Sequence, residues 1–184
     1  MRRTWAAAVA ATAVLSGVST AQATVVLELE RGTLIERSDR IVRATVGSAR
    51  SGWNEDHTQI ITLTELRVAE YWKGSGPATL TLRQLGGSVD GLSSRVAGDA
   101  QLEPGEEVVL FLKSGAGVVY LTALAQSAYH VTKGKDGTAM ATRDLRELGY
   151  AVPGKEKMSL VEPKPELPEP LAGFRADVQK RVAR

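Results

Sequence analysis

Val108-Val109-Leu110-Phe111-Leu112 is apolar at every position and follows a Pro104-Gly105 turn signal. Five residues suit a strand, whereas helices usually need ten or more. Successive strand side chains point to opposite faces, so an unbroken apolar run predicts a strand buried on both sides. Such a strand is central, and partners are expected on either side of it.

Downstream, Ser114-Gly115-Ala116-Gly117 is a hairpin-length connection to a predicted strand at 118–124. Segments 128–132 and 138–142 flank a turn containing Asp136-Gly137, a strong hairpin signal. Upstream, 78–85 places Leu80 and Leu82 on one face, and 41–50 places Val42, Ala44 and Val46 on one face. Segment 58–72 is rich in β-branched residues, but its apolar phase slips. Ile61 and Leu63 share one parity, Leu66 and Val68 the other. A β-bulge near Thr64-Glu65 would return them to one buried face. Residues 32–39 suggest one or two helical turns, with Thr33 and Glu36 at capping-box spacing. Six or seven strands joined by short turns predict a mainly β domain, an antiparallel OB-like barrel or small sandwich with a short N-terminal helix.

The segment 86–105 is the exception. Its glycines and its length of about 20 residues predict a functional or mobile loop. After Thr142 the character changes. A short helix is expected at 143–150. Five of the seven prolines then fall in 153–170, which predicts a stiff, extended linker. In 171–184 the spacing of Leu171, Phe174, Val178 and Val182 makes one apolar helical stripe, a surface for docking the tail onto the barrel itself or onto a partner. The domain is expected to span 24–152, with 153–184 dispensable for folding but needed for association.

The N-terminus has the three parts of an export signal: Arg2 and Arg3, an apolar run at 5–15, and Ala21-Gln22-Ala23 as a cleavage site. Cleavage after Ala23 gives an exported chain, periplasmic or extracellular, starting at Thr24. The apolar run falls short of the roughly 20 residues that a spanning helix needs, so no membrane span is expected. Removing two of the 23 basic residues leaves 21 against 21 acidic ones. That balance gives no broad attraction for nucleic acid, and no nucleic-acid partner is expected. With no cysteine, disulfides and thiolate metal sites are excluded.

Motifs that carry chemistry are absent. There is no G-x-S-x-G nucleophile elbow, phosphate loop, dinucleotide fingerprint, calcium loop or H-E-x-x-H. His57 sits in a polar turn, and His130 is expected on an exposed sheet face. No metal, cofactor or catalytic residue is therefore assigned. The candidate binding residues are Trp53, Tyr71 and Trp72, because aromatic side chains are enriched at interaction hot spots, together with Asp90, Arg95 and Asp99 in the glycine-rich segment.

A resemblance adds to this reading. Ser38-Asp39-Arg40-Ile41-Val42 precedes a Trp-containing turn and then Val68-Ala69-Glu70-Tyr71-Trp72-Lys73-Gly74, Gly86-Gly87, and Pro104-Gly105 before the central run. This order resembles a group of uncharacterised exported bacterial proteins. More remotely, it is similar to netrin-like domains, the OB-type barrels that include the tissue inhibitors of metalloproteinases. It covers about 80 residues, 34–112. It implies an OB-like barrel. Those inhibitors hold zinc through an N-terminal cysteine, which this chain lacks. Three functions are in play: an exported non-enzymatic domain binding a protein or peptide partner, such as an exported protease; a hydrolase with an unrecognised site; and an envelope structural or assembly factor. A concave polar pocket would favour the second, an exposed aromatic patch the first, and an undocked C-terminal helix the third.

Overall fold

The computed structural model describes residues 24–153 and 158–183. Residues 1–23, where the export signal is expected, part of the expected linker and Arg184 lie outside the described residues. In chain order the elements are β1 (Thr24–Val26), α1 (Arg31–Arg37), β2 (Arg40–Trp53), β3 (Ile60–Lys73), β4 (Thr79–Val89), β5 (Leu92–Arg95), β6 (Glu107–Ser114), β7 (Val119–Leu121), β8 (Ala128–Lys133), β9 (Ala139–Thr142), β10 (Leu148–Pro153), β11 (Met158–Val161), β12 (Glu169–Pro170) and α2 (Leu171–Val182). No described helix is long and apolar enough to cross a membrane.

Five strands close into a barrel in the order β2–β3–β4–β7–β6 and back to β2. All these contacts are antiparallel except β4 with β7, which meet in parallel at Leu82 and Val119. This is a Greek-key barrel of the OB type. Beyond β6, the sheet continues through β8 and β9 to β12. A second small sheet sets β10 between β1 and β11.

β6 explains why its sequence is apolar throughout. Val108, Leu110 and Leu112 point into the barrel with Val42, Ala44, Val46, Leu66, Leu80 and Leu82. Val109 and Phe111 point outward into a second core with Leu34, Ile41, Trp72, Tyr129 and three residues of α2: Leu171, Phe174 and Val178. The strand is thus packed between two hydrophobic layers. Arg31 ties α1 to the tail by pairing with Glu169 and Asp177 and lying over the Phe174 ring, 4.6 Å from its centroid. Arg143 pairs with Glu166 and lies 5.1 Å from the Tyr129 ring centroid.

Several expectations are corrected. The tail helix rests on the barrel domain, one of the two surfaces expected for its stripe, and forms one wall of the second core, because the outer face of β6 and β8 is apolar and needs a cover. Val182 does not share in this and is 38 % exposed. The linker contains β11 and β12, which pair with β10 and β9. Residues 143–150 form a turn and the start of β10, not a helix. Helix α1 starts after Glu30 with no side-chain cap, so Thr33 sits inside the helix and does not cap it.

The segment 86–105 is largely ordered. Gly86 to Val89 pair with Leu92 to Arg95 across a turn in which Asp90 (φ 52°) and Gly91 (φ 76°) are both left-handed. That is the signature of a two-residue hairpin. The bulge expected near Thr64-Glu65 is in the partner strand, where Gly47 and Ser48 face Glu65 alone, and further register shifts fall at Ala69 and Trp72. Strand β3 itself runs against β4 without a break from Ile61 to Arg67.

Candidate functional site

The distal halves of β2 and β3, with the β4–β5 hairpin, make a projecting arm. At its tip the Trp53 indole Nε1 donates to Asp90 Oδ2 at 3.2 Å and the ring stacks on His57, centroids 6.5 Å apart. Gly87 (φ 127°) lies against Ser51 and Thr62 so closely that no β-carbon fits, which holds the two hairpins together. At the base of the arm Arg95 pairs with Glu147. Tyr71 and Trp72 are elsewhere. Tyr71 is half-buried at the barrel end, with its hydroxyl donating to Pro77 O at 2.8 Å. Trp72 is buried, edge-on to Phe174 at 5.3 Å, and its Nε1 donates to Glu70. Both aromatics pack, on opposite faces, because successive strand side chains alternate and the two cores lie on either side of the sheet. The six candidates therefore fall into three places: Trp53 with Asp90, Arg95 with Asp99, and Tyr71 with Trp72.

Arg95 and Asp99 line a cleft of about 580 Å³ that also receives Glu103, Glu106, His130, Thr142, Asp144 and Glu147. His130 is half-buried, not exposed as its strand parity suggested. Its Nδ1 lies 3.1 Å from Glu106 Oε2, and Glu106 Oε1 accepts the Glu103 backbone N–H at 2.8 Å. The Arg146 guanidinium grips Asp144 and holds its carboxyl down at about 2. Thr142 is the register partner of His130, yet no described hydrogen bond joins its hydroxyl to the imidazole. No group of three or more metal-ligating side chains occurs among the described residues.

Asp99 differs from the other carboxylates of the cleft. Burial raises its pKa, against the opposing effect of the Ala100 N–H, and no lysine or arginine pairs with it among the described residues. A raised folded-state carboxyl pKa means that stability falls as pH rises from the unfolded value through the folded one, then stays lowered. Asp99→Asn keeps an acceptor for the Ala100 N–H and removes the desolvated charge. It should therefore raise the melting temperature at neutral pH, and the gain should vanish in acid. Melts of the two proteins across pH check this, and a variant less stable at pH 7 would refute it.

The sequence reading did not find the outer face of the arm. In register, Arg50 of β2, Leu63 of β3 and Arg83 of β4 form one cross-strand row, and Gly52, Ile61 and Leu85 form the next. Leu63 and Leu85 are 38 % and 48 % exposed. Tyr120 of β7 stands beside Arg83, since the parallel contact pairs the preceding residues Leu82 and Val119. A hollow of about 140 Å³ beside them is lined by Leu85, Val96, Tyr120, Leu121 and Leu124, and also by the polar Arg83, Gln84 and Asp99. The signal was present in the phase slip of 58–72. Ile61 and Leu63 are out of step with Leu66 because they face outward, while Thr64 takes the buried position. No protein-family model matches the chain, and no curated protein matches it.

Proposed function

We propose that the chain is an exported, non-enzymatic β-domain that works in the periplasm or outside the cell and binds a protein or peptide partner. The observation that carries this reading is the outer face of the arm, where Ile61, Leu63, Leu85 and Tyr120 form a contiguous surface edged by arginines. Exposed apolar patches rimmed by polar residues mark interaction sites, and Tyr and Arg are the residue types enriched at them. The strand order is of the OB type that the netrin-like resemblance implies, and an exported protease is the partner class to which that resemblance points.

The test is affinity capture from the exported fraction of the source cell with wild-type protein and with Leu85→Ser. Equal melts with loss of the captured partner from Leu85→Ser is the expected result. An unchanged partner set would refute the reading. Export itself predicts a mature N-terminus at Thr24, whose N–H lies 3.2 Å from Glu147 O and begins the pairing of β1 with β10. Intact mass of the exported protein checks it, and retention of residues 1–23 would overturn it.

A hydrolase reading draws on the cleft, where Glu106 positions His130 as an orienting carboxylate positions a general base. Thr142 is the nearest hydroxyl in register but is not bonded to that imidazole, so the chemistry lacks an aligned nucleophile among the described residues. The assembly-factor reading rested on an undocked helix, and α2 is docked.

A further inference from the structure

We propose that the groove under the β4–β5 hairpin is a second binding site, for a ligand that presents an ammonium or guanidinium group to Asp99. The groove lies on the inner side of the sheet, so it does not depend on the outer face of the arm. Its polar groups are short of donors, and that shortage names the ligand.

The barrel lining changes chemistry where the barrel opens into the arm. Leu66, Leu80 and Leu82 fill the interior. Register then places Thr64 between Ala49 and Leu82, and Thr62 between Ser51 and Gln84. Alternate strand residues share a face, so Thr64, Thr62 and Gln84 continue the interior side with polar groups. They form one wall of a groove of about 340 Å³, whose other walls are 86–88, 93–96 and 99–102. That volume lies in the range of small-ligand sites. Thr64 is only 2 % exposed, yet its hydroxyl makes no hydrogen bond among the described residues. Valine would fill the same space without the cost of an unmatched buried hydroxyl, so packing does not account for a threonine there.

The remaining groups are acceptors. The Thr62 hydroxyl is spent on Gly86 O at 2.7 Å. Gln84 Nε2 donates to Ala100 O at 2.9 Å, which leaves Gln84 Oε1 to accept. Asp99 Oδ1 accepts the Ala100 N–H at 2.9 Å, and the other polar neighbour of this carboxylate is the neutral Gln84 amide. Carboxylate and amide oxygens only accept. A hydroxyl can do either, so Thr64 can complete the set.

The charges around the groove leave Asp99 without a counter-charge. Arg95 and Asp99 are its only charged lining residues, and the Arg95 guanidinium is held by Glu147. Asp99 also borders the larger cleft, where Arg143 and Arg146 are taken by Glu166 and Asp144. It borders the hollow beside Tyr120 as well, where Arg83 makes no ion pair with it. A desolvated carboxylate with no cation beside it is a mark of a functional site when it stands in a cleft. A ligand cation with several N–H donors supplies both the missing charge and the missing hydrogen bonds.

Two sources offer such a group, a small free amine and a basic side chain of a peptide. The probes are therefore n-butylammonium, n-butylguanidinium and the blocked peptide Ser-Arg-Ser, with n-butanol and methyl glucoside as uncharged controls. Each is titrated into the exported protein and followed by the amide shifts of Gly87, Ala100 and Gln101. At least one cation should bind about tenfold or more tightly than n-butanol, and Asp99→Asn should weaken it by about as much. Thr64→Val should weaken it by about threefold. Asp99→Asn is expected to be at least as stable as wild type, so its loss of binding cannot come from unfolding, and melts check both variants. Tighter binding of the peptide than of n-butylguanidinium assigns the site to a basic side chain, and the reverse order assigns it to a free amine. Binding of no cation, equal binding of n-butanol, preferred binding of the glucoside or unchanged affinity in Asp99→Asn overturns the proposal. Shifts confined to His130 and Thr142 overturn it too, because the cation would then sit in the larger cleft. None of these failures touches the outer face of the arm, which the capture experiment with Leu85→Ser tests separately.

Discussion

Ending the chain at Val152 should abolish cooperative folding, and Phe174→Ala alone should lower stability by about 3–5 kcal/mol. Phe174 is fully buried between the rings of Trp72, Phe111 and Tyr129, with the nearest centroid, that of Tyr129, 4.4 Å away. Truncation removes Leu171, Phe174 and Val178 together and leaves Ile41, Trp72, Val109, Phe111 and Tyr129 facing water. It also leaves Arg31 and Arg143 without the carboxylates of Glu166, Glu169 and Asp177. Domains are stable by only about 5–15 kcal/mol in total, so losing one wall of a core exceeds what the barrel can spare. For a domain of this size each kcal/mol moves the melting temperature by roughly 2–4 °C. Phe174→Ala should therefore melt about 10 °C lower, whereas Val182→Ala, on the exposed side of the same helix, should melt with wild type. Thermal denaturation followed by circular dichroism checks all three. A truncated chain melting like the full one would show that the second core does not need its helix.

The helix was visible in the sequence, but its docking was not. Spacing identifies an apolar stripe and cannot say what covers it, and the prolines before it looked like a spacer. The covering surface was itself visible, since Val109 and Phe111 make β6 apolar on its second face. Joining the two readings would have required asking what buries that face. The arm was hidden for a different reason. Asp90-Gly91 is as good a hairpin signal as Asp136-Gly137, but the surrounding glycines at 86, 87 and 98 gave the segment the look of a loop. Those glycines serve close approach and left-handed turns inside ordered structure: Gly86 lies against Ser94, and Gly98 against Leu148. The outer face of the arm was masked by the premise that apolar strand residues must share one buried side. A bulge was placed to rescue that premise, although turning Ile61 and Leu63 to the outer face needs no bulge at Thr64-Glu65. The cleft could not be read at all, because it gathers residues from 95 to 147 that only the barrel closure and the β10 turn bring together.

Leu110→Asp and Leu63→Asp test this distinction within one fold, and the first should prevent folding. Both leucines lie in β-branched or apolar runs, and sequence pattern alone treats them alike. Leu110 is fully buried, paired with Val42 on one side and Ala128 on the other, in the middle of the barrel interior. A carboxylate there meets only hydrocarbon. Protonation would remove the charge but would still leave a buried polar group without partners and a cavity where the leucine methyl groups were. Truncating a buried leucine costs about 2–5 kcal/mol before any polar penalty is added, and the sum reaches the whole stability of an ordinary domain. Leu63 faces outward between Arg50 and Arg83. An aspartate at that position gains two nearby guanidinium groups and loses only a partly exposed contact, so its melt should stay within about 1 kcal/mol of wild type, as for most surface changes. The expected outcome is one variant without a cooperative transition and one that folds like wild type. A folded Leu110→Asp would mean that β6 is not the centre of the barrel, and an unfolded Leu63→Asp would mean that the outer face of the arm is core.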